Sequence, residues 1–117
     1  MTRANGKAPA RRDELGDAVV EVVREGARTR IVLAGDLDMS TVAGARTIID
    51  RACEGAPEQV VVDLSAVEFI DSHGLHLIAA THRALTADGS ALVVLPPPKP
   101  VRRAFEITGL DQLFGAL

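Results

Sequence analysis

Gln59-Val60-Val61-Val62-Asp63-Leu64 is an almost unbroken apolar run of strand length. Such a run reads as a strand buried on both faces, at the centre of a sheet. A few residues on, Phe69-Ile70-Asp71-Ser72-His73-Gly74-Leu75 leads into helical periodicity that continues to about Thr86. Leu75, Ile78, Ala79 and Leu85 fall on the core side, His82 at its edge, and His73, His76, Ala80 and Arg83 on the opposite stripe. A buried strand followed at once by an amphipathic helix is the unit from which α/β sheets are built.

Working towards the N-terminus, Ala18 to Arg24 and Thr29 to Ala34 are β-branched segments separated by Glu25-Gly26-Ala27-Arg28, which predicts a hairpin. Gly35-Asp36-Leu37-Asp38 ends it. Ser40 or Thr41 then caps a helix with Val42, Ala45, Ile49 and Ala52 on one face, stopped by Gly55 and Pro57. Towards the C-terminus, Asp88-Gly89 turns the chain into the strand Ala91 to Leu95. Pro96-Pro97-Pro98 breaks that strand before a short helix from Val101 to Ile107. The expected order is β-β-α-β-α-β-α, an α/β fold with a mixed sheet of four to five strands packed with helices. Residues 15–117 form the domain, and residues 1–14 read as a disordered basic leader.

Composition narrows the function. At 117 residues and 12.3 kDa, 47% apolar, the chain suits one domain with a self-sufficient core. Its single cysteine, Cys53, permits no intramolecular disulfide, which points to a reducing compartment and hence the cytoplasm. Neither a signal sequence nor an apolar run of about 18 residues is present, so no membrane association is expected. Residues 1–12 hold four of the 13 basic residues and none of the 16 acids, leaving the rest more acidic than the overall charge of −3. An acidic body with three Phe and no Tyr or Trp is a poor nucleic-acid binder.

Asp71, Ser72 and His73 sit side by side at a strand-to-helix turn. A nucleophile elbow needs Gly two positions before the serine, where Ile70 stands, and adjacent Asp, Ser and His side chains do not assemble a triad. His73 and His76, three apart on a helix, lack a third ligand for zinc, so no metal is expected. The structural role for Asp71 or Ser72 is a helix N-cap. At the same place a phosphate on Ser72 would be tolerated near the helix N-terminus. It would also change the charge of the surface around Asp36, Asp38 and Asp71.

Gly35-Asp36-Leu37-Asp38, Val60-Val61-Val62-Asp63-Leu64-Ser65, Phe69 through Leu75, Val101-Arg102-Arg103, Ile107-Thr108-Gly109-Leu110 and Leu113-Phe114 together resemble the STAS domain of bacterial anti-sigma factor antagonists. The resemblance runs from about residue 17 to the end, and Asp-Ser-x-Gly-Leu is its most specific part. It implies a non-enzymatic module without cofactors that binds an anti-sigma factor, itself a serine kinase with a Bergerat-type ATP site, and so frees a sigma factor. Ser72 is then the phosphoacceptor whose modification ends the complex, and a separate phosphatase resets it. Asp36, Asp38, Asp71, His73, His76 and Arg83 become the expected partner-binding residues. His73 stands where the family often has a second Ser or Thr, and a protonated imidazole there would pair with the phosphate. The alternative on the same fold is the STAS subunit of a lipid-transport ATPase complex or a stress-signalling scaffold.

Overall fold

Ala18, Val20 and Val22 alternate with half-buried Val19, Glu21 and Val23, the period of two that a one-sided core imposes on a strand. The computed structural model describes residues 10–116. Its strands are β1 (Ala10–Leu15), β2 (Ala18–Glu25), β3 (Arg28–Leu37), β4 (Gln59–Ile70) and β5 (Ala91–Leu95). The helices are α1 (Val42–Ala52), α2 (Ser72–Ala87) and α3 (Lys99–Thr108), followed by a 3-10 turn at Leu110–Leu113. The sheet runs β1-β2-β3-β4-β5 in sequence order. β1, β2 and β3 are antiparallel neighbours, whereas β3-β4 and β4-β5 are parallel. α1 and α2 make the two crossovers that parallel pairing requires.

Val20, Val22, Ile31, Leu33, Val60, Val62, Leu64 and Val94 meet Ala45, Ile49, Leu77, Ile78, Leu85, Val101 and Phe105 of the three helices in one core. Phe105 also packs against Phe114, ring centres 5.1 Å apart. This matches the expected mixed α/β sheet, with one strand more at the front.

That strand corrects the expected leader. Residues 10–14 belong to β1, paired with β2 from Ala10↔Val23 to Leu15↔Ala18. Leu15 lies against Gly44 of α1, where a Cβ would come within 2.8 Å of Leu15 Cδ2. Charges on both faces hid a strand held by backbone pairing at the sheet edge. Residues 1–9, the rest of the expected leader, lie outside the described residues.

Two further expectations shift. β4 is buried on both faces, with Val60, Val61, Val62 and Leu64 at most 1% exposed, yet the middle strand of the five is β3. β5 is the far edge, and only Val94 of its five residues is buried. On α2 the buried positions are Gly74, Leu77, Ile78, Thr81 and Leu85, with Leu75 and Ala79 half-buried. Thr81 is tolerated inside because its hydroxyl donates to the Leu77 carbonyl at 2.8 Å.

β4 also runs beyond Leu64, with register shifts against β3 between Val32 and Ala34 and between Gly35 and Asp36. Asp63 pins the irregularity. Its carboxylate accepts from the Ser65 amide (2.9 Å), the Ser65 hydroxyl (2.7 Å) and the Arg30 guanidinium (2.9 Å). Burial alone would push this carboxyl up, but Ser65 and Arg30 outweigh it and hold it below the ordinary 3.8. A depressed folded-state value means that the carboxylate stabilises the fold at neutral pH and that this contribution is lost as pH falls below about 4. Asp63→Asn should cost about 1–3 kcal/mol in urea unfolding at pH 7. The gap to wild type should narrow as the pH is lowered towards 3, and an unchanged gap would mean that the charge is irrelevant.

Candidate functional site

Parallel pairing of β3 with β4 sets their C-terminal ends side by side, Asp36↔Phe69 and Leu37↔Ile70. Crevices at such strand ends are where α/β sheets place their sites. Two connections emerge there: the turn from β3 into α1, and the direct step from β4 into α2.

The first turn is built by its own polar side chains. Gly35 has φ +84°, and a Cβ on it would collide with the Asp17 carbonyl oxygen. Asp38 Oδ1 accepts from the Ser40 amide (2.9 Å) and hydroxyl (2.6 Å). Thr41 occupies the N-cap position of α1 without capping through its side chain. Its hydroxyl instead donates to the Asp36 carbonyl at 2.7 Å and accepts from the Asp38 amide at 3.1 Å. Asp38 is thus committed to the turn itself.

In the second connection Asp71 is the N-cap of α2. Its Oδ1 accepts from the amides of His73 (2.8 Å) and Gly74 (3.2 Å), and its Oδ2 accepts from the amide of Met39 (3.1 Å) across the crevice. His73 Nδ1 stands 3.4 Å from the same Oδ2. Burial acts upward on this carboxyl, but the amides of Gly74, Met39 and His73 and the His73 ring prevail and lower it below the ordinary 3.8. Of the two capping candidates, Asp71 does the capping. Ser72 is left as the first residue of α2, exposed and not needed for the cap.

Ser72, His73, His76 and Leu77 of α2 face Val42, Ala43 and Arg46 of α1 across a groove of about 550 Å³. The structure therefore brings Ser72, His73 and His76 together on one wall, with Asp71 at its end and Asp36 and Asp38 in the neighbouring strand end and turn. Arg83 keeps the exposed stripe but lies eleven residues along α2, roughly 16 Å from Ser72, and does not line the groove. Met39 (72% exposed) and Phe69 (51%) are large apolar side chains left open beside the Asp71 connection. Neither they nor Arg46 follow from the motif alone. The available signal was an apolar residue set between Asp38 and Ser40 in an otherwise polar turn.

Elsewhere, Cys53 is half-buried, and burial, then Asp50, pushes its thiol up to about 11, leaving it a poor nucleophile at neutral pH. Among the described residues no group of three or more His, Cys, Asp or Glu side chains is arranged to hold a metal ion. No helix among them is long and apolar enough to cross a membrane.

Comparison with known proteins adds four findings. The family model described as Mlab, STAS domain matches residues 20–115. The anti-sigma-B factor antagonist of Staphylococcus aureus (strain NCTC 8325 / PS 47) is 29% identical over 94 residues, covering 80% of this chain and 87% of the relative. Among solved structures, an anti-sigma factor antagonist from Mycobacterium paratuberculosis superposes with TM-score 0.74 at 32% identity, covering 83% of this chain and 82% of the other. The unphosphorylated form of the anti-sigma factor antagonist SpoIIAA does so with TM-score 0.70 at 27% identity, covering 82% and 85%.

Gly74 is the residue of the turn that packing forbids to be larger: a Cβ there would lie 2.5 Å from the Leu37 carbonyl oxygen and 2.6 Å from Ile70 Cγ1. Gly74→Ala should therefore destabilise the fold by about 1–3 kcal/mol. It should also shift the backbone amide resonances of Met39 and Ser72, and a variant as stable as wild type with unmoved resonances would show that this approach is not tight.

Proposed function

The chain belongs to the STAS domain family, and from that premise we propose that it is an anti-sigma factor antagonist switched by phosphorylation of Ser72. One observation carries the reading: Asp71 takes over the capping of α2, so that Ser72 is held out at the first helical position, beside a groove and two exposed apolar side chains. A hydroxyl presented in this way is accessible to another protein's active site while the fold stays independent of it. The similarity to anti-sigma factor antagonists, one of them solved in its unphosphorylated form, supports the same reading.

In this reading the partner is an anti-sigma factor that is also a serine kinase of the Bergerat ATPase type, and its capture releases a sigma factor. Met39 and Phe69 supply apolar contact area, while Asp36, His73, His76 and, further along α2, Arg83 supply polar contacts. Asp38 and Asp71 hold the two connections in shape. The kinase brings ATP and magnesium. The Ser72 Oγ–phosphorus bond forms as the bond from the γ-phosphorus to the bridging oxygen of ADP breaks, and the hydroxyl proton passes to a base on the kinase. The product adds about −1.5 to −2 charges to the contact surface, which ejects the partner until a phosphatase hydrolyses the ester. On this account the chain is a kinase substrate and works within the cytoplasm.

The matching family model is described as Mlab, STAS domain, and not as an anti-sigma factor antagonist; the second reading on the same fold is a STAS subunit of a lipid-transport ATPase complex. Wild type, Ser72→Glu and Phe69→Asp used as baits in host lysate separate the two. Partner switching predicts that wild type retains a small ATP-binding kinase and becomes phosphorylated on Ser72 when ATP and magnesium are added. Both variants should then lose that kinase by about tenfold or more. Recovery of transporter subunits by wild type and Ser72→Glu alike would replace it with the second reading.

A further inference from the structure

A phosphate on Ser72 would meet a helix end where the amides of the next two residues are already taken. The amides of His73 and Gly74 both donate to Asp71 Oδ1, and the His73 ring faces Asp71 Oδ2 at 3.4 Å. The helix N-terminus, the usual receptor for an anion, is occupied by the protein's own carboxylate. That carboxylate also repels a phosphate from the capping side. What remains open is the groove. On its facing wall Arg46 of α1 is exposed, and among the described residues it takes part in no ion pair; Asp50, one turn further along α1, is not paired with it.

We infer that Arg46 is the cation that receives the phosphate of phosphorylated Ser72, so that the modified side chain lies across the groove between α1 and α2 and closes it. Resting on the partner-switching reading, this gives the switch a second element besides repulsion: the phosphate removes the groove itself from the contact surface. The charged and titratable groups around it are Arg46 on α1, His73 and His76 on α2, and the carboxylates of Asp71 and Asp38. The two histidines contribute according to their protonation, and the two carboxylates oppose them. Arg46 is the constant positive charge of the set. Guanidinium also suits the task, since it offers paired N–H donors to phosphate oxygens.

The test uses full-length protein carrying phosphoserine at position 72, incorporated during synthesis so that no kinase is needed. Phosphorus NMR follows the second ionisation of the phosphate, which in a free phosphoserine peptide lies at about 6. A neighbouring guanidinium favours the dianion and lowers that value. Arg46→Gln should raise it by about half a unit or more relative to wild type, Arg46→Lys should restore part of the difference, and Arg24→Gln, a charge loss on β2, should leave it unmoved. In wild type the Arg46 Nε–H resonance should shift on phosphorylation. Identical titrations of wild type and Arg46→Gln, or an unmoved Arg46 resonance, would overturn the inference. Because the phosphate is installed without a kinase, failure to find a kinase partner sinks the functional reading alone, and a null titration sinks only the role of Arg46.

Discussion

The carboxylate of Asp71 is the single group on which the site depends. It accepts three backbone amides, two from the first turn of α2 and one from Met39 in the connection after β3. Those two connections belong to different crossovers, joined otherwise by the ladder between β3 and β4 and by the Asp71 amide donating to the Leu37 carbonyl at 3.1 Å. One side chain therefore fixes both the start of the helix and its distance from the neighbouring turn. Hydrogen bonds from amides to an ionised acceptor are stronger than neutral ones, which suits a group that must hold a surface loop in place.

Close backbone approach does the rest of the positioning. Gly74 lets α2 begin directly against the end of β3, and Gly35 lets β3 pass the Asp17 carbonyl. Both glycines sit in the segments that frame Ser72. Asp63 holds the long β4 through its register shifts, so that the strand delivers Ile70 and Asp71 to the rim opposite Leu37. Irregularity in the strand is thus part of the placement of the site.

Much of this was legible in the residues. The run Val60 to Leu64 declared a doubly buried strand, and the step from Ile70 to Leu75 declared the helix start, with the cap shared between Asp71 and Ser72 until the structure assigned it to Asp71. Less was legible where tertiary packing overrides local pattern. Periodicity alone set the buried face of α2 one position off, because Gly74 and Thr81 are small or self-satisfied enough to face inward where larger apolar neighbours were expected. Arg46 belongs to the groove only because α1 lies beside α2, a juxtaposition that no local stretch encodes. The same holds for Met39 and Phe69, carried to one rim by a turn bonded to Asp71 and by the pairing of β3 with β4.

β1 has a bearing on how the sheet ends. An edge strand offers a row of open amides and carbonyls that invites a second chain to add on. Here the edge carries Arg11, Arg12, Asp13 and Glu14 in succession, so both of its faces are charged, and Arg11 is tied to Asp13 at 2.9 Å. At the opposite edge, β5 is bridged by Phe114 alongside Val94, and the Gly115 amide donates to the Val94 carbonyl at 2.9 Å. The charged run that resembles a solvated tail is therefore a guard against edge-to-edge aggregation, written into the first strand of the sheet.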